Sequence, residues 1–265
     1  MMPYIGGRRV RDVLKLMGVV GVVLCFTLSL IWGLKPRKAP RPRPNLSLPL
    51  RILPLGDAIT WGWQPANLEN GTNGYRAPLL HELVYAHYRS VNLVGTQHSG
   101  LMPNNDNEGH PGFTLSQIMG AMKAGLEMRP NVVLLHAGTT DLSRPETAEE
   151  RWRDAPKRLG SLLDHVLETC PDAVILVAKI IQAQKTQTRA NVNIFNNAIP
   201  RLVEERVEKG FKLVVVDQSV VGPEELVDGL HPSYAGYFHM GNIWFQAVKD
   251  VSAKALITPP VAVQP

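Results

Sequence analysis

Four short blocks hold the residue types that can do chemistry. The first, "GDAIT" (56–60), has Ala58 at its centre, and a methyl group can neither attack a carbonyl nor donate a proton. "NEGHPGFT" (107–114) offers the backbone of Gly109, with His110 beside it. "AGTTD" (137–141) offers the Thr140 hydroxyl, which donates a single hydrogen, next to Asp141. "DGLHPS" (228–233) holds Asp228 and His231 three residues apart ahead of a proline. Such a pair can activate water or abstract a substrate proton. It can equally be a helix-entry turn that keeps both side chains for hydrogen bonding. Trp61, Trp63 and Tyr75 flank a long loop after the first block, where they can stack on a sugar or cover the sheet edge. The remaining histidines show no metal-binding spacing.

The elements that must position these blocks are legible as alternation. Five apolar, β-branched runs, at 51–57, 89–96, 131–139, 173–180 and 212–217, read as strands covered on both faces. Between and after them, helical patterns run at about 75–88, 114–128, 147–169, 191–209 and 233–254, the last capped by Ser233. Strand–helix alternation of this kind predicts a parallel sheet with helices on both faces, and ligands at the carboxyl ends of its strands. Each of the four blocks follows or approaches such a strand end.

Taken together and in order, the blocks resemble the SGNH (GDSL) hydrolase superfamily, particularly its small fungal and microbial carbohydrate-esterase-like members. Those carry G-D-S-I-T, E-G-H-x-G, G-T-N-D and D-G-x-H-P. The resemblance covers roughly 51–250, and "NGYR" (73–76) and "NLVGT" (92–96) agree with it. It implies a three-layer α/β/α sandwich around a flavodoxin-like, five-stranded parallel sheet. It also implies an esterase site without a cofactor, in which position 58 is the nucleophile. The amide of residue 58, Gly109 and residue 140 would form the oxyanion hole, and Asp228 and His231 would complete the triad. Here the family's serine is Ala58 and its asparagine is Thr140. Asp57, Trp61, His110 and Asp141, in or beside the blocks, are the expected ligand contacts. The reading is a descendant of an esterase or deacetylase that binds a small-molecule or carbohydrate-ester-like ligand without the serine mechanism. One alternative is acid/base tailoring of a small molecule by the His231–Asp228 dyad. Another is an ordinary acylhydrolase carrying an engineered Ser→Ala change, against which the second substitution, Thr140, speaks.

Charge separates the rest of the chain from this domain. Of 28 Lys/Arg and 23 Asp/Glu, nine basic residues and one acid lie in residues 1–45, leaving 46–265 at −3. The basic balance therefore belongs to the amino-terminal tail, and the domain offers no footprint for nucleic acid. Residues 16–34 are uncharged and mostly apolar; as a helix they would span about 28 Å, close to a bilayer core. Residues 1–34 are thus expected to be a single membrane anchor and 35–45 a Pro/Arg-rich spacer. The domain is then expected at 46–256 and a tail at 257–265. Basic residues flank the span on both sides, so orientation stays open, with the lumenal or extracellular side expected for the domain. Asn70-Gly71-Thr72 forms a glycosylation sequon. Cys170 is the single cysteine after the span, so the domain has no internal disulfide.

Overall fold

The computed structural model describes residues 43–263 and, as a separate unit, a short antiparallel pair, Tyr4–Ile5 with Arg8–Arg9. The expected anchor at 16–34 lies outside the described residues. Among the described residues no helix is long and apolar enough to cross a membrane.

The core is a mostly parallel sheet. Strand β1 (Leu50–Gly56) lies centrally, with β5 (Val132–His136), β6 (Val174–Lys179) and β7 (Lys212–Asp217) following in parallel on one side. On its other side β2 (Val91–Leu93) pairs with Leu50–Ile52, and β4 (Asp106–Gly109) pairs with Leu55–Gly56. Strand β3 (Gln97–His98) runs antiparallel to β4. The five expected parallel strands are present, and β3 and β4 enlarge the sheet to seven. No apolar run announces β4: its sequence is Asp-Asn-Glu-Gly, and its buried side chains are satisfied by hydrogen bonds instead.

Successive side chains along each strand serve opposite layers. Leu53, Leu55, Val133 and Leu135 pack with α3 (Leu115–Ala121), α6 (Ala155–Thr169) and α7 (Thr186–Val207). Leu50, Ile52, Val132 and Leu134 pack with α2 (Arg76–Tyr85) and α8 (Tyr234–Ala253), chiefly through Leu79, Leu83, Met240 and Trp244. The result is the expected α/β/α sandwich. Three shorter helices, α1 (Ala58–Trp61), α4 (Lys123–Glu127) and α5 (Thr139–Ser143), complete it.

Some boundaries move, each for a physical reason. The helix expected from 147 starts at Ala155, where Pro156 occupies the first turn that suits a residue without an N–H. Helix α7 begins at Thr186, earlier than expected, because polar Thr-Gln-Thr carries little apolar periodicity. Ser233 caps α8 as expected, accepting from the Gly236 amide at 3.2 Å. Residues 257–261 are not a loose tail. Ile257 is buried, the Thr258 carbonyl accepts from Asn131 Nδ2 at 2.7 Å, and the Val261 carbonyl accepts from Arg51 at 2.9 Å.

Candidate active site

All four blocks converge at the carboxyl end of the sheet. Ala58 opens α1 directly after β1, Gly109 ends β4, Thr140 lies in α5 after β5, and Asp228 and His231 lie in the loop between β7 and α8. Tight packing makes the convergence possible. A Cβ on Gly109 would come within 2.3 Å of the Trp61 amide nitrogen, so only glycine lets β4 close on α1.

The dyad is assembled. The Nδ1–H of His231 donates to Asp228 Oδ2 at 2.8 Å, while Asp228 Oδ1 accepts from the amides of His231 at 2.8 Å and Leu230 at 3.0 Å. Burial pushes the Asp228 carboxyl up, but these donors outweigh it and hold the group below its ordinary value. It stays ionised and fixes the imidazole tautomer, leaving Nε2 as the basic atom. Trp63 packs against the ring, with centroids 4.1 Å apart. The Trp63 amide donates to the Ala58 carbonyl at 2.9 Å, and Gln64 Nε2 donates to the Pro232 carbonyl at 3.0 Å. These contacts bind the His231 loop to the turn that carries residue 58.

The three expected oxyanion positions differ in what they leave free. Ala58 is buried, and its amide has no hydrogen-bond acceptor among the described residues. The Gly109 amide is engaged. It donates to Asn107 Oδ1 at 2.9 Å, and Asn107 Nδ2 is in turn anchored to Ser99 Oγ at 3.1 Å. Thr140 is 9% exposed at the start of a short helix whose entry requires Gly138 at φ 120°.

Two expected ligand contacts, Asp57 and Asp141, are buried and engaged within the protein. Asp57 is 1% exposed; Oδ1 accepts from the Ile59 amide at 3.0 Å and Oδ2 from the Thr139 amide at 3.1 Å. It ties the β1 turn to the β5 turn, with both carboxylate oxygens bonded to backbone amides. Asp141 is 4% exposed and accepts from Arg158 Nε and Nη2 and from the Leu115 amide. Burial raises its pKa despite those partners. Trp61 lies over Gly71, where an added Cβ would approach its ring to 2.8 Å, so it packs under its own loop. His110 is hydrogen bonded to the buried Glu108 at 2.7 Å and stacks on Phe113. Glu108 also accepts from the Thr96 amide at 2.9 Å.

Asn107, Glu108, Gln64 and Arg158 were not singled out from sequence. The first two stand inside "NEGHPGFT", and their polarity within a sheet-bound block was the available signal. Beside the dyad, Asp228, Ser143, Gln184, Lys185 and Thr188 border a cavity of about 440 Å³. Across the other side of the site, Thr72 closes the 62–72 loop, its hydroxyl donating to the Gly62 carbonyl at 2.8 Å and accepting from the Gly74 amide at 3.1 Å.

Comparison with known proteins bears on the family and the fold. A family model described as the GDSL-like lipase/acylhydrolase family matches residues 55–238. A multidomain esterase of Ruminococcus flavefaciens is 25% identical over 259 residues, a match covering 87% of this chain and 32% of that protein. The chain thus spans about a third of that relative's length. Among solved structures, a family 3 carbohydrate esterase of Clostridium thermocellum is 28% identical with a TM-score of 0.65, covering 79% of this chain and 99% of that one. A family 3 carbohydrate esterase from Talaromyces cellulolyticus is 23% identical with a TM-score of 0.61, covering 76% and 99%, and speaks for the fold.

Proposed function

Because the chain belongs to the GDSL-like lipase/acylhydrolase family, we propose that its cleft receives an esterified carbohydrate, or a ligand of that shape, and holds it without forming an acyl-enzyme. The observation that carries this reading is the pairing of an ordered His231–Asp228 dyad with a methyl group at residue 58. Without a hydroxyl there, the imidazole has no attached nucleophile to deprotonate. Loss of the nucleophile costs a serine hydrolase on the order of 10⁶ in turnover, with a residue of acceleration left to binding and oxyanion donors. The engaged Gly109 amide lowers even that residue. The carbohydrate class is taken from the named activities of the relatives.

The test uses two readouts on the full chain. A fluorophosphonate probe, which labels activated serines, is expected to leave the folded protein unlabelled. Acetylated xylo-oligosaccharide is expected to bind in equilibrium dialysis while acetate release stays near the uncatalysed rate. Stoichiometric labelling, or acetate release at ordinary esterase rates, sinks the reading.

The same chain is proposed to be held at a membrane by residues 16–34, with the domain on the lumenal or extracellular side. Support comes from the length and apolarity of that span and from the basic, proline-rich spacer behind it. The full chain is expected in the membrane pellet after carbonate washing. Recovery of a mature chain beginning after residue 34 would instead identify a cleaved signal segment.

A further inference from the structure

A second concavity, of about 510 Å³, lies between the 67–74 loop and the start of α8, and its lining contains none of Ala58, Gly109, Thr140, Asp228 or His231. Its size falls within the range of about 300–1,000 Å³ usual for small-ligand sites. One wall is aromatic. Tyr234 and Phe238 stand one helical turn apart on α8 and are 70% and 56% exposed, although both are large rings of the kind normally buried. Tyr237, on the same helix, is buried and donates its hydroxyl to the Trp63 carbonyl at 2.9 Å.

The facing wall is built of amides. Asn67 and Asn70 make no side-chain hydrogen bond among the described residues. Asn73 uses only its Oδ1, which accepts from the Leu101 amide at 2.8 Å and the Met102 amide at 3.1 Å, leaving its NH₂ group free to donate. This wall is held in shape by its backbone: the Gly71 amide donates to the Asn67 carbonyl and the Gly100 amide to the Asn70 carbonyl. Among the described residues no Asp, Glu, Lys or Arg lines the groove.

We propose that this groove binds an uncharged saccharide chain, with sugar rings stacked on Tyr234 and Phe238 and hydroxyls bonded to the asparagine amides. The absence of charge in the lining disfavours phosphorylated or uronic ligands, which would meet no compensating cation. Three amides in one wall are the wrong surface for an acyl chain but match hydroxyls that both donate and accept. The proposal deepens the function argued above, and rests on it for the carbohydrate class of the ligand. The groove would hold unesterified residues of the chain whose ester enters the cleft, and Trp63 would link the two through its contacts with Tyr237 and His231.

The experiment measures binding of xylohexaose, and of acetylated xylo-oligosaccharide of similar length, to the full chain in detergent by isothermal titration. The unacetylated sugar is expected to bind, and Tyr234→Ala with Phe238→Ala is expected to weaken it by about tenfold or more. Because both side chains are exposed, the double variant should keep the parent melting temperature. Failure of the parent to bind xylohexaose, or equal binding by the double variant, overturns the groove. The cleft is read separately, as the gain in affinity from acetylation. A groove-dependent signal without that gain leaves the groove standing and counts against the ester-binding cleft. An acetyl-dependent signal indifferent to the double substitution does the reverse.

Discussion

Placing serine at position 58 and asparagine at position 140 together is expected to create an efficient esterase, whereas serine alone should give only slow hydrolysis and asparagine alone almost none. With Ala58→Ser the new hydroxyl stands on the turn that Trp63 and Gln64 tie to the His231 loop, so the dyad has something to deprotonate. Hydrolysis of p-nitrophenyl acetate should then become measurable but slow. The oxyanion would be met by the residue 58 amide and by whatever position 140 supplies, since the Gly109 amide already donates to Asn107. Adding Thr140→Asn restores a longer side chain with an amide donor and should raise the rate by about 10²–10³, roughly 3–4 kcal/mol of barrier. The same Thr140→Asn change in the Ala58 protein should do almost nothing, because nucleophile and donor act on one transition state. Full rates from Ala58→Ser alone would show that the threonine hydroxyl serves as an adequate donor. No activity from the pair would mean that the cleft has been remodelled beyond these two positions.

The largest expected effect on stability comes from a residue outside the chemistry. Arg76 is fully buried, and no carboxylate lies within ion-pairing distance of it among the described residues. Burial pushes its guanidinium down to about 10. Its donors instead bind four carbonyls in two connections: Asn105 at 2.7 Å and Ser99 at 3.0 Å between β3 and β4, and Thr72 at 2.9 Å and Trp61 at 3.1 Å around the 62–72 loop. One side chain therefore fastens the loops that shape the cleft and the groove. Arg76→Met keeps the apolar stem but leaves those acceptors buried and unpaired. At about 1–3 kcal/mol for each group left unsatisfied, and with partial relaxation, the loss should be about 3–5 kcal/mol. For a domain of this size that is a fall of about 10–15 °C in melting temperature, measurable by circular dichroism on the full chain. Arg76→Lys should recover little of it, because a single ammonium cannot span carbonyls on opposite sides. A melting temperature within a degree or two of the parent would refute this role.

What the sequence made legible follows burial by apolar groups. The residues of β5, Val132–His136, are all buried, and a continuous apolar run announces them. Strand β4 is equally buried at Asn107, Glu108 and Gly109, yet its polar sequence looks like loop, because hydrogen bonds to Thr96, Ser99 and Gln97 satisfy it. The site shows the same division. Position in a motif marked Ala58, Thr140, Asp228 and His231 as neighbours across the strand ends, since their order along the chain fixes which strand each follows. Position could not tell a ligand contact from a brace: Asp57 and Asp141 stand beside the reacting positions, and both spend their carboxylates on backbone amides and Arg158. Nor could spacing reveal that Asn107 captures the Gly109 amide, which depends on a side-chain rotamer rather than on residue type.

The Thr72 hydroxyl, enclosed between the Gly62 carbonyl and the Gly74 amide, sets a clock on any sugar attached to Asn70. Asn70 is exposed in the finished domain, but an enzyme that must read the threonine together with the asparagine finds that hydroxyl occupied at both ends and out of reach. For a chain exposed to such an enzyme, attachment would be confined to the interval before this loop closes. Slow folding would lengthen the interval and raise occupancy; a quickly closing loop would leave the asparagine bare. The extent of modification at Asn70 would then report the order of two events in a nascent chain, exposure to that enzyme and loop closure, rather than any property of the mature surface.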